Sequence, residues 1–248
     1  MKTTKNTFLL ALFLSTYFSS LNAQQMYWVH QDNVNPSMIM EYEKVAKEFQ
    51  TACVEHNPKG QWTAISMDDF RFCYVSPIDN FAALDERPFA DMAKAMGDKF
   101  GEMFNSFDQC YDWHGDYIVV HDEALSYMPE GSTEAEKGHN YRDYYFIYFT
   151  PQNAKKIKEG LKAVKEMFAS KGSKNYYRIY KSGFGNSSNY YLVAMSSKDA
   201  IDSATKQKTN EEVLGPDRFE TFNKVMKYAS RMEEVTGQIR TDLSYSPK

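Results

Sequence analysis

Cysteine is scarce in this sequence and is not arranged in a metal or redox motif. The 248 residues include three cysteines, Cys53, Cys73 and Cys110, all in the first half. An odd number allows at most one internal disulfide and leaves one thiol free. No CxxC spacing is present, and Cys53 and Cys73 stand among apolar neighbours. We therefore expect small buried side chains rather than a disulfide.

Long apolar runs are also missing, apart from one near the N terminus. Residues 8–14 are apolar, follow Lys2 and Lys5, and precede a polar stretch that ends at the small residue Ala23. This order is typical of a cleaved signal peptide, and the run is shorter than the roughly 20 residues of a membrane-spanning helix. We expect removal of residues 1–23 and an exported, soluble mature protein, periplasmic or extracellular, with no membrane insertion after cleavage.

The sequence has no excess of positive charge. It contains 29 Lys and Arg against 33 Asp and Glu, a net charge of −4. A mildly acidic surface repels phosphate backbones, and no Lys/Arg stripe offsets this repulsion. Nucleic acid is therefore excluded as an expected partner.

Motifs of common catalytic and cofactor sites are absent as well. The sequence has no GxSxG, P-loop, GxGxxG, HxxxH or HExxH pattern, so it identifies no catalytic residue and predicts no metal and no cofactor. Histidine is confined to the part before residue 140, at five positions: His30, His56, His114, His121 and His139.

What the sequence does contain is an internal repeat. The segment from Leu125 to Pro129 resembles the segment from Leu243 to Pro247, 118 positions later, and the same offset brings Phe104 to Phe222 and Val75 to Val193. With a small slip, Pro36 corresponds to Pro151. A series of similar features in one order indicates an ancient duplication. We expect a first unit at 24–129, a polar linker at 130–140 and a second unit at 141–248.

Hydrophobic patterns predict the same order of elements in each unit. In the first unit, strands are expected at 26–32, 61–66, 71–76 and 117–126, with helices from Pro36 and at 88–111. In the second unit, strands are expected at 144–149, 175–181, 189–195 and 238–244, with helices at 152–170 and 219–236. Each unit thus reads as β-α-β-β-α-β, the ferredoxin-like order.

Two such units resemble a fused pseudo-dimer of the dimeric α/β-barrel superfamily, packed sheet to sheet. The chain also resembles uncharacterised exported bacterial proteins that share the run 181–185 and the repeated endings. Haem-binding members of the superfamily place the haem-ligating histidine in the second half. No histidine lies there in this sequence, which argues against His-ligated haem.

If the sheets face each other, their inward residues line a central space that is either a packed aromatic core or a ligand pocket. The packed core is the favoured interpretation. Polar and aromatic residues of the strands are the candidate ligand-binding residues: Trp28, His30, Arg71, His121, Tyr148, Tyr176, Arg178 and Tyr180. A metal site that brings His30 and His121 together near Asp122 and Glu123 is an alternative without supporting spacing.

Three functions remain open at this stage. The first is a non-catalytic protein that holds a small aromatic or anionic ligand between the sheets. The second is an enzyme resembling cofactor-independent monooxygenases, with His30 or a strand tyrosine transferring a proton. The third is a structural or partner-binding role on the helical faces. The first is the prediction, with catalysis disfavoured and the oligomeric state open.

Overall fold

The computed structural model describes residues 24–129 and 137–248. The predicted signal peptide and residues 130–136 of the predicted linker lie outside the described residues. The described strands are β1 (Met26–Val34), β2 (Thr63–Met67), β3 (Arg71–Ile78), β4 (Tyr111–His121), β5 (Tyr141–Tyr148), β6 (Tyr177–Ser182), β7 (Tyr190–Ser197) and β8 (Arg231–Ile239). The described helices are α1 (Ile39–His56), α2 (Ala90–Met96), α3 (Asp98–Asp108), α4 (Ala154–Ser170), α5 (Ala200–Leu214) and α6 (Arg218–Met226).

The described strands close into one antiparallel barrel. Their order around it is β1-β3-β2-β8-β5-β7-β6-β4. Strands of the two halves meet at two seams, where β2 pairs with β8 and β4 pairs with β6. The expectation of two sheets packed face to face therefore needs a correction. Hydrogen bonding at both seams leaves no open sheet edge, and the halves form one α+β barrel.

The barrel interior is filled by side chains. One buried cluster takes residues from seven strands, with Val29, Cys73 and Val119 from the first half and Tyr144 and Tyr190 from the second. Tyr180 of β6 packs against the same cluster, so all eight strands contribute. The packed aromatic core, rather than a hollow between the sheets, is confirmed for the described residues.

Two further cores lie between the outer barrel face and the helices. Helix α1 supplies Tyr42, Val45, Ala46 and Cys53, which recur at three- and four-residue spacing on one helical face. They pack with α2, α3 and residues of β2 and β3. Helices α4 and α6 form the equivalent core with β5, β6 and β7.

The repeated endings cross from one half to the other. Leu125 packs in the core of the second half, whereas Leu243 packs in the core of the first. Ser126 accepts a hydrogen bond from the backbone N–H of Ile179, and Ser244 accepts one from Ala64. Each half thus completes the other half's core with the same short segment.

One helix was expected at 88–111, but the structure has α2, α3 and the start of β4 there. Gly97 separates the two helices with φ = 60° and ψ = −133°, a conformation that side chains with a Cβ rarely adopt. Strand β4 begins at Tyr111 rather than at residue 117, because its first residues already pair with β1.

The expectations for the end of the chain were wrong in three ways. Helix α5 was not expected, because only Ser203 and Leu214 of its residues are buried and no apolar period results. The helix expected at 219–236 ends at Met226. The strand expected at 238–244 is β8, Arg231–Ile239, whose charged residues favour a helix by pattern but pair with β2 and β5.

The cysteines confirm the expectation of buried thiols. Cys53, Cys73 and Cys110 are all buried and free. Burial raises the pKa of both Cys53 and Cys73 to about 12. Within residues 24–129 and 137–248, no helix combines the length and apolar character that crossing a membrane requires.

Candidate functional site

A cavity of about 300 Å³ lies between helices α1–α3 and the outer face of the first-half sheet. We call it the first-half cavity. Most of its wall is apolar because the facing helices and strands present rings to it. The aromatic wall residues include Trp28, Phe49, Trp62, Phe89, Phe104 and Phe107.

The polar end of the first-half cavity is formed by His30, Asp32 and Asp116. His30 Nδ1 lies 3.1 Å from Asp116 Oδ1, and His30 Nε2 lies 3.2 Å from Asp32 Oδ1. Trp28 donates its indole N–H to Asp116 Oδ1 at 2.8 Å. One imidazole is thus held between two carboxylates at the end of an aromatic cavity.

The carboxylates dominate the charge state of His30. Burial lowers the pKa of this imidazole, but its close contacts with Asp116 and Asp32 and the charges of both carboxylates raise it overall to about 10. The hydrogen bond to His30 in turn lowers the pKa of Asp116. At neutral pH His30 is therefore a hydrogen-bond donor with a positive charge, rather than a free base.

Asp32 is the most enclosed member of this group, with 3% of its surface exposed. Tyr42 of α1 donates its hydroxyl to Asp32 Oδ2 at 2.5 Å, and Tyr74 lies 3.0 Å from the same hydroxyl. Asp32 Oδ1, in contrast, is buried, and its contact with His30 lacks the geometry of a hydrogen bond. Within the described residues, this oxygen thus faces a charged imidazole but accepts no well-aligned hydrogen bond, which is unusual for a buried carboxylate.

A second histidine completes the group from the neighbouring strand. The register of β1 and β4 places His114 directly opposite Asp32 and Asp116 directly opposite His30. The His114 ring contacts the His30 ring edge-on, with 5.5 Å between centroids, and stacks on Tyr111 at 5.2 Å. His114 is exposed, so the group reaches solvent on this side.

The corresponding positions of the second half do not repeat this chemistry. In the first half, strand pairing places His30 between Tyr74 and Asp116. In the second half, it places Tyr145 between Val193 and Glu234 in the same way. By the same registers, Ile147 takes the position of Asp32 and Met232 that of His114. Only the first half therefore carries the two-histidine group within the described residues.

These registers also correct the strand alignment of the sequence repeat. The sequence paired Val75 with Val193, but Val75 packs in the barrel interior and Val193 packs on the helix side. Tyr74, one residue earlier, is paired with His30 as Val193 is paired with Tyr145. A shift of one residue in a strand reverses the face on which a side chain lies.

Of the eight residues predicted from the sequence, Trp28 and His30 line the first-half cavity. Arg71 and Tyr148 lie in the barrel instead, near Phe146: the guanidinium of Arg71 is 4.9 Å from the Phe146 ring centroid. The rings of Phe146 and Tyr148 stack with 6.3 Å between centroids. This pair belongs to the packed barrel interior and its rim.

Three more of the predicted residues form a second group on the barrel side. The ring of Tyr180 contacts His121, with 5.4 Å between centroids. Burial lowers the pKa of His121, and the positive charge of Arg178 lowers it further. Tyr176 is separate from this group and lines another cavity, of about 320 Å³, beside Asp143.

The alternative in which His30 approaches His121 does not occur. His30 lies opposite Asp116 on β4, and His121 is five residues further along the same regular strand. An odd separation places the two side chains on opposite faces of the sheet. His30 therefore meets the helices, and His121 meets the barrel interior.

Sequence reasoning did not select Asp32, His114 or Asp116 as site residues. A signal was present in the sequence: His30-Gln31-Asp32 and His114-Gly115-Asp116 are both HxD tripeptides. In a strand, residues two apart share a face. Because β4 was expected to start at residue 117, the second tripeptide was not placed on a strand.

Comparisons with known proteins support the fold. The chain matches no protein-family model and no curated protein sequence. A solved structure of an anthrone oxidase-like protein is similar with a TM-score of 0.58 and 12% identity, and the match covers 88% of this chain and 92% of that chain.

Two proposed monooxygenases are similar as well. The structure from Fusobacterium nucleatum has a TM-score of 0.52 and 12% identity, over 91% of this chain and 99% of that chain. The structure from Lactobacillus acidophilus has a TM-score of 0.51 and 10% identity, over 91% and 100%. These neighbours are dimeric α/β-barrel proteins, and identities this low establish a shared fold and nothing finer.

Proposed function

We propose that this chain binds a small aromatic molecule in the first-half cavity. The observation that carries the proposal is a cavity of about 300 Å³ whose wall is built from aromatic side chains and whose end is polar. Ligand sites are typically apolar cavities of roughly 300–1,000 Å³ with a few fixed polar groups. The volume is at the lower end of this range, so the ligand is small.

The proposed ligand site is thus the first-half cavity, and not the space between the sheets that the sequence predicted. The barrel interior is packed, whereas the first-half cavity lies on the opposite, helix-facing side of the same strands. The residues that support binding are therefore Trp28 and His30 from the sequence prediction, together with Asp32, Asp116 and the aromatic rings of α1 and α3.

The polar end favours a particular kind of aromatic ligand. The described wall includes no Lys or Arg. Apart from the tyrosines Tyr74 and Tyr111, its ionisable side chains are Asp32, Asp116 and His30. Two carboxylates against one imidazole attract a hydrogen-bond donor such as a phenol or an amine. We therefore propose a neutral or cationic aromatic ligand in preference to the anionic one.

Fluorescence titration tests the proposal, because Trp28 and Trp62 line the first-half cavity. Small phenols and arylamines, added to the mature protein, should change tryptophan fluorescence with saturation. Phe104→Ala removes a partly exposed wall ring and should raise Kd about 3- to 10-fold, from the ~0.5–1.5 kcal/mol of an aromatic contact. Phe219→Ala, at an exposed ring on α6, is the matched control.

Two results would contradict this proposal. The first is the absence of saturable binding by any phenol or arylamine. The second is an equal effect of Phe104→Ala and Phe219→Ala, which would place the bound molecule outside the first-half cavity.

Oxidation of an aromatic substrate in the same cavity is a second candidate. It is favoured by the Asp116–His30 pair at the cavity end and by neighbours described as anthrone oxidase-like and as monooxygenases. When molecular oxygen oxidises an anthrone-type methylene, one oxygen atom becomes the carbonyl oxygen, and the other leaves as water with both methylene hydrogens. Oxygen uptake with anthrone above the spontaneous rate, reduced by Asp116→Asn, supports this candidate, and a rate equal to that without protein rejects it.

We also propose that the barrel is a fused pair of ferredoxin-like units. Around the barrel, the first half contributes the order β4-β1-β3-β2 and the second half contributes β8-β5-β7-β6. Each half has the sequence β-α-β-β-α-β when adjacent helices are grouped. The segments at Leu125 and Leu243 also support a duplication, because each segment packs into the core of the opposite half.

We propose, in addition, that the protein is exported. The N-terminal pattern of residues 1–23 supports a cleaved signal peptide and a soluble mature chain in the periplasm or outside the cell. The mass of the protein isolated from outside the cytoplasm tests it: removal of residues 1–23 supports export, and an intact N terminus contradicts it.

A further inference from the structure

Two identical tripeptide patterns meet at the polar end of the first-half cavity. His30 and Asp32 lie on β1, His114 and Asp116 lie on β4, and the strands run antiparallel. Each histidine is therefore opposite the aspartate of the other tripeptide. The pairing collects two imidazoles and two carboxylates on one face, although the tripeptides are more than 80 residues apart in the chain.

We propose that this chain binds a divalent transition-metal ion through His30, Asp32 and His114. Each of these residues offers one ligand atom, and the three atoms lie within 4.8 Å of one another. Asp116 Oδ1 is 3.1 Å from His30 Nδ1, the ring nitrogen that does not face Asp32, so Asp116 orients the imidazole and is not a ligand of the proposed ion. Small rotamer changes bring such a set to the ~2.0–2.2 Å bond lengths of nitrogen and oxygen ligands.

An independent observation points to a ligand at this position. Asp32 is 3% exposed, and its Oδ1 atom is buried without a hydrogen bond. This oxygen lies toward His30 Nε2, on the side of the proposed ion. A cation bound between these two atoms would replace the imidazole proton and coordinate the oxygen directly, which the poorly aligned contact with His30 does not achieve. The unsatisfied atom is thus the ligand atom that the proposal requires.

The surrounding side chains hold both carboxylates in place. The Tyr42 hydroxyl donates to Asp32 Oδ2, which leaves Oδ1 for the ion. The Trp28 indole donates to Asp116 Oδ1. Donors of this kind orient the ligands of protein metal sites and raise metal affinity.

The ligand set selects the type of ion. Two imidazoles and a carboxylate suit Zn²⁺ and Fe²⁺, whereas Mg²⁺ and Ca²⁺ prefer oxygen ligands alone. Three protein ligands leave coordination positions free for solvent or a small molecule. Such an arrangement is typical of sites that bind or activate a small molecule, rather than of closed structural zinc sites.

The proposal is independent of the aromatic ligand, since ion binding is measured with metal alone. Calorimetry of the mature protein, first treated with a chelator, should show one equivalent of Zn²⁺ bound and no comparable binding of Mg²⁺. Co²⁺ should give visible absorption bands typical of nitrogen and oxygen ligands. The substitution His114→Gln should weaken Zn²⁺ binding at least 10-fold, a loss of at least ~1.4 kcal/mol.

His56→Gln is the matched control, since His56 is exposed at the end of α1. His114 is also exposed, so its replacement should preserve the fold, which far-UV circular dichroism of the variant verifies. Loss of Co²⁺ bands in His30→Gln gives a second readout. Absence of Zn²⁺ binding, or an equal effect of His114→Gln and His56→Gln, overturns the proposal and leaves the aromatic-ligand test unaffected.

Discussion

At the residue scale, the site depends on one buried aspartate. Within the described part of the chain, Asp32 accepts one hydrogen bond, from the Tyr42 hydroxyl to Oδ2, and its Oδ1 accepts none. His30 lies between this carboxylate and Asp116. The charge balance at the cavity end is therefore controlled by contacts between α1, β1 and β4.

Tyr42→Phe tests the contribution of this hydrogen bond to stability. The substitution removes the donor to Asp32 and should lower the free energy of unfolding by about 1.5–3 kcal/mol, the range for hydrogen bonds to charged groups. Urea denaturation followed by circular dichroism measures the change. Tyr111→Phe removes a more exposed hydroxyl, bonded to Asp108, and should cost less than about 1 kcal/mol. Equal losses in both variants would contradict this account.

Sequence reasoning identified part of the candidate site. Trp28 and His30 were selected because strand residues of one parity share a face, and both line the first-half cavity. His114 and Asp116 were not selected, because their membership depends on a strand boundary and on the β1–β4 register. Composition and spacing along the chain do not determine a register between strands that are far apart in sequence.

At the scale of elements, glycine decides where the second helical segment of the first half is divided. Gly97 lies between α2 and α3 with a positive φ, while Gly101 lies inside α3. A Cβ at either position meets no atom within 4 Å, so steric contacts do not distinguish them. Backbone conformation alone separates the two cases.

The pair Gly97→Ala and Gly101→Ala tests this directly. Gly97→Ala forces a Cβ into an unfavourable backbone conformation and should destabilise the protein by about 1–3 kcal/mol. Gly101→Ala removes a helical glycine and should stabilise it by about 0.5–1 kcal/mol. The midpoints of urea unfolding of both variants give the comparison. If Gly97→Ala leaves the free energy of unfolding unchanged, the positive φ at this position does not require glycine.

The elements that the sequence predicted well are those with a clear composition or a one-sided apolar pattern. The first strand follows from its aromatic and β-branched residues, and α1 follows from three- and four-residue spacing of apolar residues. Helix α5 is mostly exposed, and β8 carries Arg231, Glu233 and Glu234, so neither shows its structure in its pattern. Pairing of β8 with strands on both sides outweighs its helix-favouring composition.

At the scale of the whole molecule, the two halves share one barrel. Two seams of strand pairing and the exchanged segments at Leu125 and Leu243 connect them. The barrel core contains residues of both halves. Neither half therefore keeps its buried surface when the other unfolds, and we expect one cooperative unit.

Unfolding by two probes tests this cooperativity. Trp28, Trp62 and Trp113 all lie in the first half, so tryptophan fluorescence reports on that half and, through the contact of Trp62 with Tyr245, on the segment that crosses into it from the second half. Far-UV circular dichroism reports on the whole barrel. The two urea transitions should coincide, as in a two-state system. Separate midpoints would show that the halves unfold independently.

The class of fold, including a barrel formed by both units, could be predicted from the sequence, but the strand pairing that closes the barrel could not. The repeated order of elements indicated two similar units and a dimeric α/β-barrel relationship, and the solved neighbours share that fold. The seams β2–β8 and β4–β6 arise from geometry between distant strands, which no local pattern encodes.

Native mass spectrometry of the mature protein, isolated from its own host, tests the central claim most directly. We expect an additional mass of a small aromatic compound that is lost on denaturation and is reduced in Phe104→Ala but not in Phe219→Ala. The apo mass alone, in the wild type and in both variants, would contradict a ligand site in the first-half cavity.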